Sequence, residues 1–203
     1  QQRHLKYHDT AYNLEPNVKA SPGGLRDLHT VLWISRACSF GTTWHELARI
    51  GMITVPEARA IVRHESLLQT LRIRLHYLAG RREDRLLFDY QTALAEQMRI
   101  QASDTRRASE HLMQRYYRTK QAVLQLNSVL LQNMRARLFP EYGISSPINE
   151  RFVVRDDLLE AQSEDLFERE PSAILESFLL MEQHPRLGGF SAPTLRALWR
   201  ARY

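Results

Sequence analysis

The chain has 203 residues, 43% of them hydrophobic and 25% charged, a length that suits one domain or one and a half with a real core. No apolar run approaches the ~20 residues that cross a bilayer and no signal-peptide pattern is read at the start of the sequence, while the single Cys38 excludes an internal disulfide and reads as a buried structural thiol. The formal net charge of +5 is almost all arginine, since only Lys6, Lys19 and Lys120 are lysines, and an excess so mild and dispersed does not specify a nucleic-acid partner.

Up to about Pro22 there is no helical period, and Pro16 and Pro22 predict an edge strand or extended arm. After Gly23 and Gly24, the residues Leu25, Leu28, Leu32 and Trp33 share one face of a helix running to about Ser39, which Gly41 ends. Thr43 and Glu46 are spaced as a capping box for a short helix through "WHELARIG". Thr54 and Glu57 repeat the signature, with Pro56 in the first turn. The helix that follows is long: Ile61, Leu68 and Leu75 form one row, His64, Leu71 and Leu78 its companion, as far as Gly80. "RREDR" connects it to a shorter helix, "LLFDYQTALAEQM".

Ser103–Asp104 predicts the start of a second long helix, ending near Phe139–Pro140. Its stripe is Leu112, Tyr116, Thr119, Val123, Leu126 and Leu130, widened by Tyr117, Leu124 and Leu131. The two long helices are expected to be antiparallel neighbours. "RFVVRDDLLEA" predicts a hairpin turning at Arg155–Asp156. Two helices follow, "PSAILESFLLMEQ" with Pro171 first and "SAPTLRALWRARY" capped by Ser191. The expected fold class is mainly α: a helical bundle with two long antiparallel helices, an extended N-terminal arm and a small β hairpin. Its expected divisions are residues 1–24, 25–140 and 141–203.

Complete catalytic sets are missing. His4 and His8 are four apart but lie where no helix is expected, His8–Asp9 lacks the further ligands of a metal-dependent phosphohydrolase, and His45–Glu46 lacks a second histidine. His64, set in an aliphatic seam, reads as a satisfied core residue. No nucleophile elbow, Walker loop or dinucleotide fingerprint occurs. Asp156 and Asp157 would face opposite sides of a strand, so a surface turn suits them better than a metal pair. "EHLMQRYYRTK" imitates a basic aromatic nucleic-acid surface, but its Tyr116 belongs to the apolar stripe.

"NVKASPGGLRD" is the distinctive stretch. Paired glycines let backbone approach an anion, and a helix N-terminus favours negative charge. With its flanks, "YNLEPNVKASPGGLRDLHTVLWI" resembles the motif that follows the nucleotidyltransferase module in bacterial PII uridylyltransferase/uridylyl-removing enzymes. "RLLFDYQ" and "PINERFVV" resemble later segments of that family, in matching order. The shorter core is also similar to an element of glutamine synthetase adenylyltransferases, though Leu25-Arg26-Asp27 departs from the Ile-Arg-Glu wording found there.

The resemblance implies a segment between a nucleotidyltransferase domain and an HD phosphohydrolase domain of a longer cytoplasmic protein, whose ACT domains sense glutamine. The implied parent activity is transfer of UMP from UTP to PII and its hydrolytic removal, with Mg²⁺ or Mn²⁺; the segment alone is expected to be inactive and to hold no metal. Lys19, Gly23, Gly24 and Arg26 would then border the nucleotide, and Glu15 would add a carboxylate near the metals. Two other readings stand beside this one. In one, the turn only locks the helical part onto the transferase sheet, with Arg26 and Asp27 in local ion pairs or caps; in the other, the remainder is a non-catalytic docking platform for PII. No nucleic-acid or membrane partner is expected.

Overall fold

The computed structural model describes residues 13–140 and 145–201. The fold is mainly helical with one small antiparallel sheet, and it divides into two compact units, Gln1–Asn127 and Ser128–Tyr203. The expected arm falls largely on residues 1–12, outside the described residues, together with His4, Lys6, His8 and Asp9. Its described part, from Asn13 to Gly24, is a run of tight turns with one isolated antiparallel bridge, Asn17 to Arg85.

In the first unit, helix α1 (Leu25–Ala37) buries Leu25, Asp27, Leu28, Val31 and Ser35. The expected face is thus rotated: Leu32 is half-buried and Trp33 is 54% exposed, its ring lying 5.7 Å from the Arg26 guanidinium. Cys38 caps this helix and is half-buried, not fully buried as expected. Helix α2 (Trp44–Arg49) and helix α3 (Val55–Ala79) both begin with the capping boxes that the spacing predicts. Thr54→Ala should cost about 1 kcal/mol in urea unfolding, because it strips the Glu57 N–H of its acceptor; an unchanged midpoint would refute the cap.

Along α3, Ile61, Leu68, Leu71 and Leu75 are completely buried. The short helix α4 (Phe88–Gln97) follows, and then the long helix α5 (Ala108–Leu138). α5 begins later than Ser103–Asp104 because Ser103 and Arg106 exchange both backbone hydrogen bonds, at 2.9 and 3.3 Å. That closes a turn, and the Glu110 carboxylate then takes the Arg107 N–H. All six residues of the expected stripe from Leu112 to Leu130 are buried. His64 Nδ1 lies 3.3 Å from Thr119 Oγ1, so the two long helices touch there. Burial, then the charge of Arg63, lowers the His64 pKa.

In the second unit, β1 (Ser145–Pro147), β2 (Phe152–Arg155) and β3 (Leu158–Ala161) form an antiparallel meander in that order. The hairpin turns at Asp156–Asp157, one residue later than expected. Both adopt positive φ, 51° and 60°, as a two-residue turn matched to strand twist requires. Strand β1 was not legible, because its Pro147 suits only an edge, which is where the strand lies. Phe152, Leu159, Leu166 and Phe167 build the core with Ala173, Leu180 and Ala197, contributed by helices α6 (Leu166–Arg169), α7 (Ser172–Gln183) and α8 (Ala192–Arg200). Pro171 is the cap of α7, and Ser191 caps α8 as expected. No described helix is long and apolar enough to cross a membrane.

Candidate functional site

The turn before α1 is assembled almost entirely from its own hydrogen bonds. Asn17 starts it: its Oδ1 accepts from the N–H groups of Lys19 (3.0 Å) and Ala20 (2.7 Å), and its carbonyl accepts from the Ser21 hydroxyl at 2.6 Å. The amides that lead into the helix are then consumed one by one. Gly23 N–H donates to Asp27 Oδ2 at 2.7 Å and Gly24 N–H to the Ser21 carbonyl at 2.9 Å. Leu25 donates to Val18, Arg26 to Lys19 and Asp27 to Gly24. A helix start ordinarily offers free amides to an anion; here each amide from Gly23 to Asp27 already has a carbonyl or carboxylate acceptor.

Each glycine is required by a close approach. Gly23 has φ +74°, and a Cβ there would stand 2.5 Å from the Lys120 carbonyl oxygen on α5. At Gly24 a Cβ would meet the carbonyl oxygens of Val18, Lys19 and Ser21 at 2.7, 2.8 and 2.9 Å. The pair therefore lets the turn curl over itself and press backbone to backbone on the second long helix.

Two buried charges lie under this contact. Asp27 is 3% exposed and Lys120 is fully buried. Burial pushes the Lys120 ammonium down to about 8, and the charge of Asp27 partly offsets that shift. The Lys120 Nζ also stands 5.7 Å from the Tyr116 ring centroid. Burial raises the pKa of the Tyr116 hydroxyl, and the nearby Ser21 side chain partly offsets that shift.

On its outer side the turn is cationic. Lys19 and Arg26 are half-buried. Partial burial first, then the charges of Arg72 and Arg82, lower the Lys19 pKa, with Arg26 adding to the effect and Asp84 opposing it. Asp84 accepts from Arg72 Nε at 2.6 Å and lies 3.2 Å from His76 Nε2. Burial alone would raise its pKa, but these two hydrogen bonds and the neighbouring positive charges hold it below the usual carboxylate range.

Of the residues expected from the sequence, Lys19, Gly23, Gly24 and Arg26 are thus brought together in one turn. Glu15 is tied to a different element: its carboxylate accepts from Phe88 N–H at 3.1 Å, at the start of α4, and pairs with Arg85 at 3.4 Å. Lys120, Arg72, Arg82 and Asp84 escaped the sequence reading. The one available signal was compositional, a lysine set in the apolar stripe of α5 four residues after Tyr116. Among the described residues no group of three or more His, Cys, Asp or Glu side chains converges to hold a metal.

Comparison with known proteins identifies the family of the chain. The family model described as GlnD PII-uridylyltransferase matches residues 1–131, and that of the uridylyltransferase GlnD third domain matches residues 152–203. The chain is similar to the bifunctional uridylyltransferase/uridylyl-removing enzyme of Nitrosospira multiformis, with 60% identity over 99% of this chain and 23% of the relative. It is 54% identical to the protein of the same description from Cupriavidus metallidurans, over 99% of this chain and 24% of that one. For the Thiobacillus denitrificans protein the identity is 50%, over 98% of this chain and 23% of the relative. The chain spans about a quarter of the length of these curated relatives. No solved structure matches it.

Proposed function

Because the chain belongs to the GlnD PII-uridylyltransferase family, we propose that it is the helical segment following the transferase module of an enzyme that attaches UMP to the PII signalling protein and hydrolyses it off again. In this reading UTP is the donor, glutamine acts through ACT domains outside this chain, and the enzyme works in the cytoplasm. Lys19 and Arg26 face the triphosphate as it accumulates charge in the transfer step. The observation that carries this is the cationic outer side of the turn: Asp84, paired with Arg72 at 2.6 Å, accepts from Val18 N–H beside Lys19, and the charges of Arg72, Arg82 and Arg26 act on the Lys19 ammonium. Contact with phosphate runs through side chains, since the amides of Gly23 and Gly24 are occupied within the turn. The two glycines position those side chains and do not touch the nucleotide.

Transfer of this kind uses a divalent ion, Mg²⁺ or Mn²⁺, as the counter-charge of the phosphates. The described residues do not fit such an ion: no acidic cluster is present and the Glu15 carboxylate is engaged by Arg85 and the start of α4. Glu15 accordingly serves to hold the turn segment against α4.

The test is Lys19→Ala in the complete enzyme. Uridylylation should fall about tenfold or more, the worth of one charged hydrogen bond to phosphate, while uridylyl removal stays near the wild-type rate. Equal loss of both activities, or of neither, would count against the role. A docking role for the second unit has its own support. Leu175, Phe178 and Leu179 lie together on an exposed side of α7, 76, 56 and 55% exposed, a surface suited to a protein partner. Retention of PII by the chain, lost on Phe178→Asp, is the expected result; failure of the wild-type chain to retain PII would remove that reading.

A further inference from the structure

The basic residues near Lys19 come from three separate stretches of chain. Lys19 and Arg26 belong to the turn and the first turn of α1, Arg72 and His76 lie one helical turn apart near the end of α3, and Arg82 lies in the connection that follows. Asp84 joins these stretches. Its carboxylate holds Arg72 and His76 at 2.6 and 3.2 Å, and its backbone carbonyl accepts from Val18 N–H at 2.8 Å, which pins the Lys19 turn beside the end of α3. Arg26 is fixed to the same turn, because its amide donates to the Lys19 carbonyl at 2.8 Å.

The charges do not balance. Arg72, Arg82 and Arg26 all act on the Lys19 ammonium, with Asp84 the one carboxylate among the groups acting on it. Arg72 shares that carboxylate with His76, and Arg82 is exposed and forms no ion pair among the described residues. Cations crowded around a single counter-charge repel one another, and packing alone gives no reason to gather them. An anion carrying several charges would relieve the repulsion. Guanidinium forks match phosphate oxygens better than isolated point charges do, and the spread from the turn to α3 suits a chain of phosphates more than one carboxylate.

We propose that Lys19, Arg26, Arg72 and Arg82, organised by Asp84, form a binding site for an oligophosphate. The proposal deepens the reading of Lys19 and Arg26 given above and rests on it for the source of the ligand, a nucleoside triphosphate as opposed to free polyphosphate. Recognition is by side-chain charge, so the site reads phosphate and not base. Asp84 is a positioning residue: it aims the Arg72 guanidinium without meeting the ligand.

The experiment is calorimetric titration of the chain with inorganic tripolyphosphate, UTP and uridine at low ionic strength. Tripolyphosphate and UTP should bind comparably, uridine not at all, and added salt should weaken both anions. Arg82→Gln should weaken tripolyphosphate about tenfold with an unchanged thermal midpoint, since the exposed side chain supports no packing. Arg82→Glu should abolish binding. Absence of tripolyphosphate binding by the wild-type chain, or wild-type affinity in Arg82→Gln, overturns the site. If tripolyphosphate binds and Arg82→Gln weakens it, while the same substitution leaves the KM for UTP of the complete enzyme unchanged, the anion site stands and the nucleotide reading falls.

Discussion

Gly23→Ala is expected to destabilise the first unit by about 3 kcal/mol, the sum of left-handed strain and overpacking against fixed backbone. Two separable causes act there. The φ of +74° penalises any L side chain, and the new methyl would stand 2.5 Å from the Lys120 carbonyl, an atom that α5 cannot easily move. Gly51→Ala isolates the first cause, because Gly51 has φ +79° but open space around it; about 1 kcal/mol is expected. Gly24→Ala isolates the second, since Gly24 has an ordinary φ of −88° and three carbonyl oxygens within 2.9 Å of the added Cβ. Urea unfolding followed by tryptophan fluorescence measures all three. Equal losses at Gly23 and Gly51 would show that the turn does not press on α5 as described.

Lys120→Met should destabilise by about 3 kcal/mol, because it leaves the buried Asp27 carboxylate without the positive charge that accompanies it. Asp27→Asn combined with Lys120→Met should recover most of that loss, whereas additive losses in the cycle would mean the two charges are not coupled. The same pair predicts a pH dependence. The unfolded chain keeps its lysine proton to about 10.5 and the folded chain only to about 8. Between those values the unfolded state binds more protons, so stability rises with pH, by about 2 kcal/mol between pH 7.5 and 9.5. Below about pH 8 both states are charged and the contribution is flat. Tyr116 acts oppositely at still higher pH, since its raised pKa leaves the folded state holding the extra proton. A stability profile of the same slope in Lys120→Met would refute the assignment to this lysine.

Much of the helical framework was readable because its signals are local. The two capping boxes need residues only three apart, and the stripe from Leu112 to Leu130 follows from a 3.6-residue period. The candidate turn was readable as a place, since two adjacent glycines before a helix restrict what the backbone is doing. Its purpose was not, because whether an amide is free depends on where Asp27 and the carbonyls of Val18, Lys19 and Ser21 come to rest. Trp33 was misplaced for a related reason: a ring beside Arg26 can remain in solvent while Asp27, a charged residue, takes the buried side. The start of α5 was set too early because Ser103 and Asp104 have the composition of a cap, yet Ser103 bonds Arg106 instead.

By itself the sequence determined the mainly helical class, the positions of most helices and the turn on which a function could be hung, since each depends on neighbours in the chain. Tertiary structure alone decided which charges meet. Lys19 and Arg72 are 53 positions apart, Asp27 and Lys120 are 93, and no local period links either pair. Coulomb interactions act through space, so the cationic patch around Asp84 and the buried pair beneath Gly23 arise only when α1, α3 and α5 are folded together.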